Sequence, residues 1–156
     1  MAGLSATQHQ GDLRVAAVDL ANVVIGLFDF LTADNAFNTS IGGDGSTAGR
    51  LRYSQADKNE TYPYVVFHVI SITSDNVMTT DGYFIRFQFD ILESEEAGAR
   101  ACMDISDALR GVLSRATYTI SGHSQTQMRM DNEAPPILEG TSWRHTCDYV
   151  ATGLKD

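Results

Sequence analysis

YFIRFQFDIL, residues 83 to 92, alternates without a break: Tyr83, Ile85, Phe87, Phe89 and Ile91 fall on one side, and Phe84, Arg86, Gln88 and Asp90 on the other. Successive side chains of a strand point to opposite faces, so the pattern predicts a strand with one buried and one wet face. A sheet wet on one side is characteristically antiparallel, with its helices gathered on the other side. Just upstream, TYPYVVFHVI at 61 to 70 is rich in aromatic and β-branched residues and begins at a proline. Proline has no N–H for a ladder but is tolerated at the first residue of a strand, so Pro63 marks where a strand starts, running to about Thr73. TSDNVMTTDG then reads as the turn region, with Asp81-Gly82 its strongest signal.

Downstream, Ser94 is placed to cap a helix whose first turn carries Glu95 and Glu96, favourable at the positive end of the helix dipole. Ala101, Ile105, Ala108 and Val112, with Cys102, Leu109 and Leu113 beside them, form its apolar face. Strand composition returns at 116 to 130, with Tyr118, Ile120, Met128 and Met130 in phase, followed by a Pro135-Pro136 turn. A last strand alternates Trp143, Cys147 and Tyr149 against Arg144, Thr146 and Asp148.

Near the N-terminus, Leu13, Ala17, Leu20, Val24, Leu27 and Leu31 recur at three- and four-residue steps and predict a first helix. Val15, Val18 and Ile25, with Asn22 among them, form a second line on another side. That line serves either the protein's own core or another subunit. Between this helix and Pro63, residues 36 to 61 hold Gly42, Gly43, Gly45 and Gly49 and one short candidate strand at Arg50 to Tyr53. So long a segment is expected to be a mobile loop. The expected fold is α+β: an antiparallel sheet of about four strands with two helices on one face, and a long flexible loop between the first helix and the first long strand. A single domain covers 1–156, with 1–11 a flexible N-terminus.

The 43% hydrophobic and 20% charged content suits a globular fold, and no apolar run approaches a bilayer's thickness. No secretory signal is seen, so Cys102 and Cys147 are expected as reduced thiols. A net charge of −9 argues against tight DNA binding, which needs basic surface to displace counterions.

Chemistry is thinly represented. Gly122-His-Ser124-Gln-Thr126 resembles a nucleophile elbow, but Thr126 replaces the second glycine and the sequence continues as strand. A small serine hydrolase using Ser124 with His123 or His145 stays as one alternative. His145 and Cys147 share a strand face and could share a metal, but no third ligand stands at ligand-like spacing, so no metal is assigned. The 42–52 segment lacks the Lys-Ser/Thr pair of a phosphate loop. With Arg50 and Arg52 it leaves a small-anion-binding module as the other alternative. Glu93, Glu95 and Glu96 are explained by capping. No cofactor and no catalysis are indicated.

In order along the chain stand an amphipathic N-terminal helix, Ile41-Gly42, Gly49-Arg50-x-x-Tyr53, a variable loop, Tyr62-Pro63-Tyr64-Val65-Val66, an alternating strand ending near Glu93, and a helix ending Ala108-Leu109-x-x-x-Leu113. This order, over about residues 12 to 153, resembles the tail-completion proteins of long-tailed bacteriophages, the tail terminators and head-to-tail joining proteins. The resemblance implies a non-enzymatic virion protein, assembled in the host cytoplasm into a ring, usually a hexamer, at the phage neck. Such a ring caps the tail tube protein and meets the head-tail connector proteins, with DNA passing through without specific binding and no membrane involved. It implies Val15, Val18, Asn22 and Ile25 as subunit interface. Gly43, Asp44, Gly45, Arg50, Arg52 and Tyr53 become a loop that contacts a partner.

Overall fold

The computed structural model describes residues 19–44, 47–77, 80–114, 117–120 and 123–155. Helix α1 (Leu20–Thr32) and the short α2 (Asn35–Ser40) precede strands β1 (Leu51–Tyr53), β2 (Tyr64–Val77) and β3 (Thr80–Ser94). Helix α3 (Gly98–Leu113) follows, then β4 (Thr117–Ile120), β5 (His123–Glu133), β6 (Ile137–Glu139) and β7 (Ser142–Lys155). The strands form one sheet in the order β1-β2-β3-β7-β5-β4, with β6 also pairing with β7. All pairs are antiparallel except β1 with β2.

The class is therefore α+β as expected, but among the described residues the sheet is mixed and has seven strands rather than about four, and there are three helices rather than two. The additional pieces are short. β1 falls on the short candidate strand at Arg50 to Tyr53, whereas α2 lies at the start of the segment read as one long loop, where Phe37 and Ile41 are fully buried. These isolated apolar residues carry no periodicity that would announce a helix. β6 extends the line of β5 along β7 after Ala134-Pro135-Pro136, so residues 123 to 139 form one long line of strand with a proline interruption.

The buried side of the 83–92 alternation is realised in full, whereas on the other side Phe84 and Arg86 are exposed but Asp90 is buried. Tyr83, Ile85, Phe87, Phe89 and Ile91 are all buried beneath the helices. On the other face, β2 and β3 pair through to Val77↔Thr80, which puts Asp81 and Gly82 inside the ladder, opposite Asn76 and Asp75. The expected turn at the Asp-Gly pair is therefore not made there: both residues belong to β3. A register shift between Val69 and Ser71 leaves Ile70 exposed and switches the inward phase of β2 from Val65, Phe67 and Val69 to Ile72.

Phe67 stacks on Phe89 at 5.9 Å, and Phe89 meets Tyr149 edge-on at 5.5 Å. Such rings bury the largest apolar areas of any side chain and dominate the core's stabilisation. α3 covers β3 and β7 with Cys102, Ile105, Ser106, Leu109 and Leu113. Its start differs from expectation: Ser94 ends β3, and its hydroxyl accepts from the Ala97 amide at 3.3 Å, closing a turn that delays the helix to Gly98.

α1 begins at Asp19, whose carboxylate accepts from the Ala21 amide at 2.9 Å. It buries Val23, Leu27 and Leu31, a stripe rotated from the expected one: Leu20 is 45% exposed. Leu13 and Ala17 lie outside the described residues. The first turns of α1 lie beside Tyr53 of β1, and Phe30 near its end meets Tyr118 of β4 at 5.6 Å. One helix thus touches both outermost strands, and the sheet curls around it. No helix among the described residues is long and apolar enough to cross a membrane.

Candidate functional site

Where α1 passes the β1 edge, Leu20, Ala21, Val24 and Ile25 form a shallow apolar groove with Tyr53. Ile25 is 57% exposed and Tyr53 40%, while the Tyr53 ring rests against Phe67 at 5.2 Å. β1 ends the sheet here, so Tyr53, which shares the inward phase of Leu51, is covered among the described residues by the first turns of α1. Large exposed apolar side chains clustered together mark an interaction surface more often than scattered ones do.

The structure thereby joins residues of the two candidate regions, Ile25 from the helix and Tyr53 from the loop. Asn22 is half-buried on α1. Val15, Val18 and Gly45 lie outside the described residues. Leu20 and Val24, read from the sequence as core, belong to the groove's wall, Val24 half-buried against the core and Leu20 exposed. The exposure of Leu20 follows from the rotation of the helix.

The glycine-rich stretch has a structural occupation. The Asn38 side chain, almost completely buried, accepts from the Gly49 amide at 2.5 Å, and the Gly43 amide donates to the Asn38 carbonyl at 2.8 Å. A Cβ on Gly43 or Gly49 would collide with Asn38. Gly42, at φ +79°, lies directly under the Arg50 guanidinium. Arg50 Nε donates to the Pro63 carbonyl at 2.9 Å and its terminal nitrogen to the Tyr62 carbonyl at 3.0 Å. Tyr62-Pro63 is a cis bond. Arg52 pairs with Glu60 at 2.7 Å. Both cations are thus engaged by their own chain, and the arginine pair assembles no vacant anion cradle. The exposed Asp44 carboxylate accepts from the Thr47 amide at 2.6 Å.

The wet face of the sheet carries cross-strand pairs. Asp90 accepts from Arg144 at 3.0 and 3.1 Å and from the Thr146 hydroxyl at 2.7 Å. Burial works to lower the Arg144 pKa, but Asp90 and Glu139 more than offset it. Arg86 pairs with Asp131 at 3.1 Å, and Gln88 donates to Asp148 at 3.2 Å. Such pairs fix register more than they add stability.

The hydrolase arrangement does not form. Ser124 sits inside β5, opposite Leu154, with strand rather than helix after it. His145 lies nine residues further along β7, roughly 30 Å at strand rise, and its Nε2 is 2.9 Å from Glu133. Glu133 also faces Cys147 across the β5–β7 ladder, which gives the His145–Cys147 pair a third donor group that the sequence spacing had hidden. No ester-cleaving constellation is present among the described residues.

No curated protein sequence matches the chain significantly. Among solved structures, a chain described as virion of native gene transfer agent (GTA) particle superposes with a TM-score of 0.68 at 13% identity, covering 87% of this chain and 99% of that one. Another superposes with a TM-score of 0.62 at 11% identity, covering 90% of this chain and 98% of that one. Both likenesses extend over essentially the whole architecture described above. The model of the family described as tail completion protein gp17 matches residues 26–149, from Gly26 in the middle of α1 through Tyr149 in β7, and the chain belongs to this bacteriophage family of structural, non-enzymatic tail proteins.

Proposed function

We propose that the protein forms a ring at the phage neck that terminates the tail tube or joins the tail to the head connector, with DNA passing through the lumen. The observation that carries this reading is the apolar groove of Leu20, Val24, Ile25 and Tyr53 at the end of the sheet. A second copy seated there would extend the core past β1 and cover side chains that a lone chain leaves wet. Membership of the tail completion family supports an assembly role for this surface, and a chain of the same fold is described as part of a gene transfer agent virion. A net charge of −9 keeps the ring from gripping passing DNA. Assembly takes place in the host cytoplasm, onto tail tube and connector proteins.

The test is Ile25→Asp, supplied in trans to the encoding phage carrying a stop codon early in this gene. Ile25 is exposed, so a carboxylate there leaves the monomer folded. With the variant, electron microscopy should show unattached full heads beside tails that are overlong (a terminator) or of normal length (a joining protein). The purified variant should sediment as a monomer where the parent forms a ring. Infectious particles in normal number from Ile25→Asp would refute the interface.

A further inference from the structure

We propose that Glu133, His145 and Cys147 form a zinc site that pins β5, β7 and α3 together. Glu133 on β5 pairs with Cys147 on β7, and His145, two residues earlier on β7, points to the same, helix-covered face. One ligand atom from each lies within 4.8 Å of the others. Glu133 Oε1 is 2.9 Å from His145 Nε2 and 4.0 Å from Cys147 Sγ. Zinc binds nitrogen and oxygen at about 2.0–2.2 Å and sulfur at about 2.3 Å. Donors around a tetrahedral ion therefore stand roughly 3.3–3.8 Å apart, a span that these separations bracket. The ion enters by small side-chain movements, without rearrangement of the strands.

The donor set selects the metal. A thiolate and an imidazole beside one carboxylate suit zinc, whereas calcium and magnesium take oxygen ligands. One carboxylate and one thiolate balance the ion's two charges, the thiol proton passing to solvent on binding. Arg110 holds the other carboxylate oxygen, Oε2, at 2.6 Å, which leaves Oε1 turned toward the ion and orients it as outer-shell partners do. Asp107, 3.4 Å from Arg110, offsets the guanidinium's charge. The buried Ser106 hydroxyl, 2.9 Å from Glu133 Oε1 and 3.3 Å from Cys147 Sγ, stands beside the fourth position, which it or a water completes.

Two further observations favour an ion over a hydrogen-bonded cluster. His145 is 2% exposed, and among the described residues its Nδ1 has no hydrogen-bond partner, so its contact with Glu133 through Nε2 is a thin return for burying an imidazole. A metal bond at Nε2 would repay that desolvation. Glu133 is also the one ligand with substantial exposure, its side chain 32% accessible, which gives the ion a way in from solvent.

The test titrates the full-length folded chain with Co²⁺ as a spectroscopic stand-in, then with Zn²⁺. Expected are one Co²⁺ per chain, the visible absorption of tetrahedral cobalt, and a near-ultraviolet thiolate-to-cobalt charge-transfer band that zinc abolishes. Cys147→Ser removes that band, and Cys102→Ser, which alters the other buried thiol, keeps it. Glu133→Gln, at the half-exposed rim, lowers the affinity by about tenfold or more and carries the test if Cys147→Ser fails to fold. A folded parent chain that binds no stoichiometric cobalt, a charge-transfer band that survives in Cys147→Ser, or an affinity unchanged in Glu133→Gln would overturn the proposal.

Discussion

Replacing Arg50 with alanine separates two accounts of the glycine-rich segment. If Arg50 exists to meet an anion or a partner, the isolated chain should not notice its loss. The geometry makes it instead a clamp from the residue before β1 to the Tyr62-Pro63 bend, through two short bonds at 2.9 and 3.0 Å and a third, marginal contact with Gly42 at 3.5 Å. A hydrogen bond from a charged donor contributes roughly 1.5–3 kcal/mol, so the two short bonds total about 3–6 kcal/mol in a fully buried setting. Arg50 is only half-buried, and the freed carbonyls can recruit water, which discounts the sum to about 2–3 kcal/mol. With a urea m-value of about 2 kcal/mol/M, the unfolding midpoint of Arg50→Ala should fall by about 1–1.5 M. Arg50→Lys, one flexible ammonium in place of a planar fork, should recover less than half of that. A midpoint for Arg50→Ala within about 0.2 M of the parent would refute the clamp and return Arg50 to the partner-contacting surface.

Two further outcomes follow from the packing. Gly153 on β7 lies against the Tyr83 ring, whose hydroxyl bonds to Thr126 at 2.5 Å, and an added methyl would meet that ring directly. Gly153→Ala should destabilise the chain by about 1–3 kcal/mol in thermal melts, and an unchanged melting temperature would show that Tyr83 can give way. At alkaline pH, burial and then the charge of Glu93 push the Cys102 thiol up to about 11, while burial raises Tyr118 and Tyr149 as well. Their pKa values are higher folded than unfolded, so this contribution is fully present below the unfolded thiol value of about 8.5 and is lost as pH rises toward about 11. The urea midpoint should be flat from about pH 6 to 8 and fall above about pH 9; a midpoint constant to about pH 11 would contradict these buried environments.

The parts of the fold legible in the sequence are those where one physical signal dominates. The alternation at 83–92 specified β3 and its buried face residue by residue, because one side of that strand is entirely core. What escaped was set by contacts distant in sequence. Asp81-Gly82 is a good turn pair locally, but the β2–β3 ladder continues through it to Val77↔Thr80. Phe37, Ile41 and Leu51 are single anchors among polar residues, and their burial depends on Asn38 and Arg50 folding the glycines around them. Glycine density was read as freedom; here it reflects close approach of backbone to side chain. Glu133 joins His145 and Cys147 only through strand pairing, across a proline interruption that no spacing rule spans.

The groove and the core are one continuous structure, and this bears on how assembly would act on the chain. Tyr53 rests on Phe67, Phe67 stacks on Phe89, and Phe89 meets Tyr149, so an unbroken run of rings leads from the exposed end of the sheet to its central strand pair. A subunit covering Tyr53 in the proposed ring removes water from the last member of that run and adds dispersion contacts where the core now stops at β1. Position matters as much as apolarity. Tyr53 is carried on three residues of strand held between the Arg50 clamp on one side and the Arg52–Glu60 ion pair on the other. The same glycines that close around Asn38 and Arg50 therefore fix the aromatic side chain that the partner would meet. A rigid edge presents its contact residues without paying to order them on binding, and that lowers the cost of assembly more than additional apolar area would.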